Sequence, residues 1–263
     1  MRFARKSPWA AALLCGLAGL MAQAEERVQD VRVAVAANFK QTAAELCRVY
    51  FAARPGRCVL TAGASGLLYA KVAQGAPFDV LLSADAARAK RLEAAGLAAP
   101  GTRFTYAIGR LVLWRPGHAA GKDLRAALAD DGVHTIAIAN PGAAPYGIAA
   151  LETLRALGIP TAGRFRLVQG ESVAQTFQFV ATGAADAGFV ALSQVLEFEA
   201  ASRRRIASEV ILVDPTLYRP IEQQAVLLGT ARENAAARGL LEFLRSPAAR
   251  RIIDAAGYAS RAP

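Results

Sequence analysis

Apolar runs typical of buried strands alternate with helical patterns from residue 30 onward. In the first part of the chain, strands are predicted at residues 31–36, 58–61 and 78–83, and helices at 38–52, at 65–74 and up to Leu92. An order in which each strand is followed by a helix predicts a parallel sheet that is covered on both faces.

The same rhythm restarts further along the chain. Strands are predicted at residues 110–114, 135–139, 165–168, 187–190, 210–213 and 224–228, and helices at 146–157, 173–182, 233–244 and 247–256. The simplest organisation is two α/β lobes joined by two crossings, near residues 106–112 and 214–222. The two terminal helices are expected to pack back onto the first lobe.

The N-terminus has the pattern of a secretory signal peptide. Arg2, Arg5 and Lys6 precede a short apolar run, and Ala22-Gln23-Ala24 has the small-x-small form of a cleavage site. Residues 1–24 are therefore predicted to be removed after Ala24, and the run is too short to span a membrane. The rest of the chain is long enough for one large domain or two small ones.

Charge and cysteine content narrow the function classes. The net charge is +10, but the cations are scattered, and the densest run, at residues 203–205, has no aromatic residues among its arginines. This pattern favours a solvated segment over a nucleic-acid surface. Cys47 and Cys58 remain after cleavage and can form a disulfide in an oxidising compartment or stay as thiols. His118 and His134 lack a second ligand at a spacing useful for zinc.

Small or hydroxyl-bearing residues occupy four strand-to-helix turns, at residues 36–38, 63–66, 144–147 and 170–173. A helix N-terminus offers unpaired N–H groups and about half a positive charge, which suits a compact anion. The amide of Asn38 and the hydroxyls of Ser65 and Tyr146 could add side-chain donors. Taken alone, each turn is better explained as an ordinary helix cap than as a binding site, and the recurrence of such turns in both halves shifts this balance only modestly.

An enzyme is the weaker interpretation of these turns. Gly63-Ala64-Ser65-Gly66-Leu67 resembles a nucleophile elbow, but Leu67 stands where the second glycine of that motif should be. Phosphate-loop and dinucleotide fingerprints are absent from the sequence. No catalytic residue is predicted.

At these same turns the chain resembles the periplasmic molybdate-binding proteins of ABC transporters, the ModA family. The resemblance covers about residues 31–258, and its motifs are VAANF at 35–39, GAPFDVLLSAD at 75–85, NP at 140–141 with PYGIAA at 145–150, and FLRSPAA at 243–249 with GY at 257–258. It implies an α/β fold of the type II periplasmic binding protein class, with two lobes, a two-segment hinge and a ligand cleft between the lobes. Lobe I is assigned to residues 25–107 and 220–263, and lobe II to residues 108–219.

The resemblance also implies a function and a ligand set. The protein is expected to be a periplasmic monomer that binds molybdate or tungstate as cargo, uses no cofactor and docks on a transporter permease. Matched by motif, the oxyanion would be held by Asn38, Ser65, Tyr146 and Val173, the last through its main-chain N–H, with Ala37 adding a main-chain donor. Some members carry a tyrosine where this chain has Ala191, so Tyr146 is expected to supply the phenol instead.

Neutral donors suit this cargo for a physical reason. A buried dianion is costly unless its oxygens are hydrogen-bonded, and each bond to a charged acceptor contributes about 1.5–3 kcal/mol. A site built only of donors leaves the proton of hydrogen phosphate unpaired, whereas sulfate can be excluded only by size. A receptor for sulfate or another oxyanion, and a secreted enzyme on the same scaffold, are the alternatives.

Overall fold

The computed structural model describes residues 30–119, 121, 123–161 and 163–259. The predicted signal peptide and its cleavage site lie outside these residues. The strands are β1 (Val31–Ala36), β2 (Cys58–Gly63), β3 (Val80–Ser83), β4 (Phe104–Gly109), β5 (Leu111–Trp114), β6 (Thr135–Ala139), β7 (Arg166–Gly170), β8 (Ala187–Ala191), β9 (Val210–Leu212) and β10 (Ile221–Leu227).

Helices follow most of the strands. They are α1 (Lys40–Phe51), α2 (Ser65–Ala73), α3 (Ala86–Ala94), α4 (Leu124–Ala129), α5 (Pro145–Ala156), α6 (Val173–Ala181), α7 (Leu192–Ser202), α8 (Ala235–Leu244) and α9 (Pro247–Ala255). A 3-10 turn, Ala37–Phe39, leads into α1, so the single helix predicted from residue 38 is in fact a turn followed by a helix.

The strands form two five-stranded sheets of matching design. The order is β2-β1-β3-β10-β4 in the first sheet and β7-β6-β8-β5-β9 in the second. In each sheet three neighbouring strands are parallel, and the next strand, β10 or β5, runs antiparallel to them. The chain passes from the first sheet to the second at Arg110 and returns between β9 and β10.

Alternation along the strands explains why each sheet is buried on both faces. In the first sheet, Val33 and Leu82 join a core shared with α1, α8 and α9, whereas Ala34 and Leu81 point into a separate core under α2 and α3. The second sheet is sandwiched in the same way between two cores. This arrangement is the one that the predicted strand–helix rhythm requires.

A disulfide ties the first helix to the second strand. Cys47 in α1 is bonded to Cys58 at the start of β2. The sequence left open whether these two cysteines form a disulfide or stay as thiols, and the structure shows the disulfide.

Two helices and one strand were not predicted. No element was predicted at α4, α7 or β4. The strand predicted at residues 110–114 corresponds to β5, which only Arg110 divides from β4. α4 has only six residues. α7 begins directly where β8 ends, at Ala191, with no turn residue to mark the change.

Candidate anion-binding site

The carboxyl ends of the parallel strands of both sheets face one small cavity. Its volume is about 10 Å³, close to what one water molecule needs, and part of it is open to solvent. It is lined by Ala36, Ala37, Asn38, Gly63, Ala64, Ser65, Ala84, Ala144, Pro145, Tyr146, Ser172 and Val173. The five residues predicted to bind a ligand are all among them. Sites outside the carboxyl ends of strands are the rule for open α/β sheets.

Three of the helical segments that begin at this cavity have no side-chain cap. The 3-10 turn follows Ala36, α2 follows Ala64, and α5 follows Ala144. Alanine offers no side-chain acceptor, so these helix starts keep the partial positive charge of a helix N-terminus and N–H groups that no side chain caps. In α2 one of these groups, the N–H of Gly66, donates to the carbonyl oxygen of Ala143. Such groups converging on a cavity favour an anionic ligand.

The cavity is electrically neutral apart from these dipoles. Every residue that lines it is uncharged. The adjacent Asp85 forms an ion pair with Arg88, so its carboxylate is balanced. The chemistry offered to a ligand is therefore hydrogen-bond donation without a countercharge.

Ser65 is placed as a donor. It is 1% exposed, and its Oγ accepts a hydrogen bond from the main-chain N–H of Ala84 at 2.9 Å. Because that bond uses an acceptor position of the hydroxyl, its hydrogen remains available to a ligand.

Asn38 lines the cavity, but its amide is engaged within the protein. Nδ2 donates to Oε1 of Gln223 and to the hydroxyl of Tyr258, both at 3.1 Å. The main-chain oxygen of Asn38 accepts from that hydroxyl at 2.7 Å and from Oγ of Ser193 at 3.1 Å. Both amide hydrogens are thus used within the protein, so the side-chain donor that the sequence suggested is already occupied.

Tyr146 is the second residue of α5 and is 1% exposed. Its hydroxyl accepts a hydrogen bond from Nε2 of Gln223 at 3.5 Å and lies against Gly109, where a β-carbon would collide with it. Burial raises the pKa of the Tyr146 phenol well above its ordinary value, so the group keeps its proton. The phenol of Tyr146 therefore keeps a hydrogen that its bond with Gln223 does not use.

Val173 is the first residue of α6. Its carbonyl oxygen accepts from Nε2 of Gln194 at 3.2 Å, and the Oγ of Ser172 caps the N–H of Gln175 at 3.3 Å. The cap of α6 thus engages the N–H of Gln175, two residues beyond Val173, and leaves the N–H of Val173 uncapped by Ser172. Ala191, which replaces the tyrosine of some ModA proteins, is not among the residues that line the cavity.

The two halves of the molecule touch beside the cavity. The N–H of Gly66 in α2 donates to the carbonyl oxygen of Ala143 at 2.9 Å, and Arg88 donates to that of Gly142 at 3.0 Å. A β-carbon on Gly66 would lie 3.1 Å from both the Cα and the oxygen of Ala143, so glycine allows this approach. These contacts close one side of the cavity between the halves.

A buried polar network behind the cavity was missed by the sequence analysis. It contains Tyr106, Ser193, Gln223 and Tyr258, and it connects to Asn38 and Tyr146. The only local signal is the polar run Glu222-Gln223-Gln224 in β10, whose other residues are apolar. Within the described part of the chain, no cluster of three or more potential metal ligands occurs, and no helix is long and apolar enough to cross a membrane.

Similarity to known proteins places the chain in a family. A family model described as bacterial extracellular solute-binding protein matches residues 31–259. The chain is 45% identical to the molybdate-binding protein ModA of Rhodobacter capsulatus, over 97% of this chain and 96% of that protein. The chain belongs to the ModA family. The ModA protein of Azotobacter vinelandii is 41% identical over 94% of this chain and 95% of its own length.

The fold of the ModA family is confirmed by a solved structure. The periplasmic molybdate-binding protein of Azotobacter vinelandii superposes with a TM-score of 0.81, at 38% identity, over 88% of this chain and 100% of that one. The predicted two-lobed binding-protein fold is therefore correct. Membership of a solute-binding family also confirms the prediction of a binding protein rather than an enzyme.

Proposed function

We propose that this protein captures molybdate or tungstate in the periplasm and delivers it to the permease of an ABC transporter. The observation that carries the proposal is the neutral cavity at which uncapped helix starts from both sheets converge. The relatives named for molybdate binding support the choice of anion.

The proposed ligand set combines main-chain and side-chain donors. Main-chain N–H groups of Ala37, Asn38, Tyr146 and Val173 would meet the oxyanion, together with the hydroxyls of Ser65 and Tyr146. Several bonds to a charged acceptor, each contributing about 1.5–3 kcal/mol, are enough for tight binding without a cation. The anion is cargo in this scheme, and no cofactor takes part.

The proposed motion is closure of lobe II (residues 108–219) on lobe I (residues 25–107 and 220–263). The two inter-sheet passages, at Arg110 and between β9 and β10, would act as the hinge. In this scheme the bond from Gly66 to Ala143 forms on closure and encloses the anion.

Calorimetric titration of residues 25–263 with molybdate, tungstate, sulfate and phosphate tests the function. We expect one-to-one binding of molybdate and tungstate, and much weaker binding of sulfate and phosphate. A preference for sulfate would keep the receptor role but contradict the proposed cargo. A folded sample that bound none of the four anions would contradict an oxyanion site altogether.

The mass of the protein recovered from the periplasm tests the export proposal. Cleavage after Ala24 would leave Glu25 as the first residue. Retention of the full-length chain in the cytoplasm would contradict it.

A further inference from the structure

Gln223 lies at the centre of the polar network behind the cavity. It belongs to β10 and is 0% exposed. Its Oε1 accepts from Nδ2 of Asn38 and from the hydroxyl of Tyr106, both at 3.1 Å, and its Nε2 donates to the hydroxyl of Tyr146 at 3.5 Å. One buried amide therefore contacts two residues that line the cavity.

The partners of Gln223 fix the direction of these bonds. Tyr106 has a single hydroxyl hydrogen, which is directed at Oε1 of Gln223 and at the carbonyl oxygen of Ser83, 3.4 Å away. With Oε1 facing Tyr106 and Asn38, the NH₂ group of Gln223 faces Tyr146. The Tyr146 oxygen is then an acceptor for Gln223, and its own hydrogen remains free.

The bond between Gln223 and Tyr146 also joins the two halves of the molecule. Gln223 is in the first sheet, whereas Tyr146 is in α5, which packs in the core of the second sheet. The bond that orients the phenol therefore runs from one half of the molecule to the other.

We propose that Gln223 is a positioning residue for anion binding, which holds Asn38 in place and turns the hydroxyl hydrogen of Tyr146 toward the oxyanion. The inference rests on the proposed function, since the phenolic hydrogen has this role only with an oxyanion in the cavity. Gln223 itself does not line the cavity, so it acts through its neighbours.

Gln223→Glu tests the direction of the bond. An ionised carboxylate at this position would accept the hydrogen of Tyr146 and place a negative charge behind the anion. We expect the dissociation constant for molybdate to rise by about tenfold to a hundredfold at about pH 8.5. Affinity should recover on acidification to about pH 5.5, because burial raises a carboxyl pKa and the neutral acid again has a hydrogen to donate.

The matched control is Gln224→Glu. Gln224 is the neighbouring residue on β10 and is 4% exposed, but its amide contacts Arg103 and Thr105 instead of the cavity. Its variant should bind molybdate like the parent at every pH. The other titratable groups near Gln223 are the hydroxyls of Tyr106, Tyr146 and Tyr258, whose pKa values burial raises, and Asp85, which is paired with Arg88.

A double-mutant cycle separates positioning from a purely structural role. Gln223→Met should weaken molybdate binding in the parent but have much less effect in a Tyr146→Phe background, since the hydrogen it directs is then gone. Equal effects in the two backgrounds, or a pH profile of Gln223→Glu identical to that of Gln224→Glu, would overturn the proposal. If Gln223→Met fails to fold, the pH profile alone decides.

Binding by the parent protein separates failure of the proposed function from failure of the proposed role of Gln223. If it binds no oxyanion, the proposed function and this inference fall together. If it binds molybdate tightly and Gln223→Glu binds equally well at about pH 8.5, only the inference about Gln223 is wrong.

Discussion

Helices that begin at the cavity and helices that begin elsewhere have different N-termini. Away from the cavity lining, α3, α4, α8 and α9 each have a first-turn N–H that donates to a side-chain oxygen of the preceding residue. These acceptors are Asp85, Asp123, Asn234 and Ser246 respectively. At the cavity, α2, α5 and the 3-10 turn follow alanine. Side-chain capping is the usual way to satisfy the first N–H groups of a helix. The lack of side-chain caps at these three helix starts therefore indicates N–H groups that are kept for a ligand.

Two helices show the limits of this comparison. α6 reaches the cavity with a cap, since Ser172 accepts from Gln175 and leaves Val173 uncapped. α7 follows Ala191 without reaching the cavity, and there Oε1 of Gln194 accepts the N–H of Ala191 at 3.2 Å. An alanine before a helix therefore indicates a binding site only where several such helix starts share one cavity.

Adding a cap at the cavity should have the largest effect. In Ala64→Asp, the new carboxylate would accept first-turn N–H groups of α2 and repel the dianion. We expect affinity for molybdate to fall by about a hundredfold or more, while the protein without ligand stays folded. Calorimetry and thermal unfolding measure the two effects. Unchanged affinity would show that the start of α2 does not meet the ligand.

Removing the Ser65 hydroxyl should have the next largest effect. Ser65→Ala deletes a buried donor, and we expect affinity to fall by more than about tenfold. The matched control is Ser246→Ala, which removes the cap of α9, costs about 1 kcal/mol of stability and leaves the dissociation constant unchanged. Equal affinities of the two variants would remove Ser65 from the site.

Tyr146→Phe should have a smaller effect, because the main-chain N–H of Tyr146 remains. We expect affinity for molybdate to fall by up to about tenfold. Tyr50→Phe is the control, since the hydroxyl of Tyr50 donates to the carbonyl oxygen of Ala236 within another core. If Tyr146→Phe binds as tightly as the parent, Tyr146 does not supply the phenolic donor that some family members carry at the position of Ala191.

Local patterns were enough to predict most of the fold. The strands at residues 31–36 and 135–139 were predicted with the observed bounds, because buried parallel strands are continuous apolar runs. α7 was missed because its start has neither a capping side chain nor a Gly or Pro, as β8 passes straight into it at Ala191. The helix predicted from residue 38 starts instead as a 3-10 turn, a distinction that hydrophobic periodicity cannot make.

The site was predictable only where it is local in sequence. Ser65, Tyr146 and Val173 stand at strand-to-helix turns, so their approach to one cavity follows from the topology of open sheets. The role of Asn38 was not predictable in the same way. The partners of its amide, Gln223 and Tyr258, are 185 and 220 residues away in the chain, and their contacts exist only in the folded structure.

Removing a cap away from the cavity should have the smallest effect on binding. Oδ1 of Asp123 accepts from the N–H groups of Arg125 and Ala126 at the start of α4, on the exposed surface. Asp123→Ala should lower the free energy of unfolding by about 1 kcal/mol and leave the dissociation constant for molybdate unchanged, as denaturant unfolding and calorimetry would show. If Ala64→Asp loses affinity for molybdate but stays folded, and Asp123→Ala loses stability but keeps its affinity, then a side-chain cap stabilises the fold at the start of α4 and would block the ligand at the start of α2. A loss of affinity for molybdate in Asp123→Ala would instead mean that the start of α4 is coupled to the cavity through the second sheet. Capping would then not distinguish the helix starts at the cavity from those elsewhere.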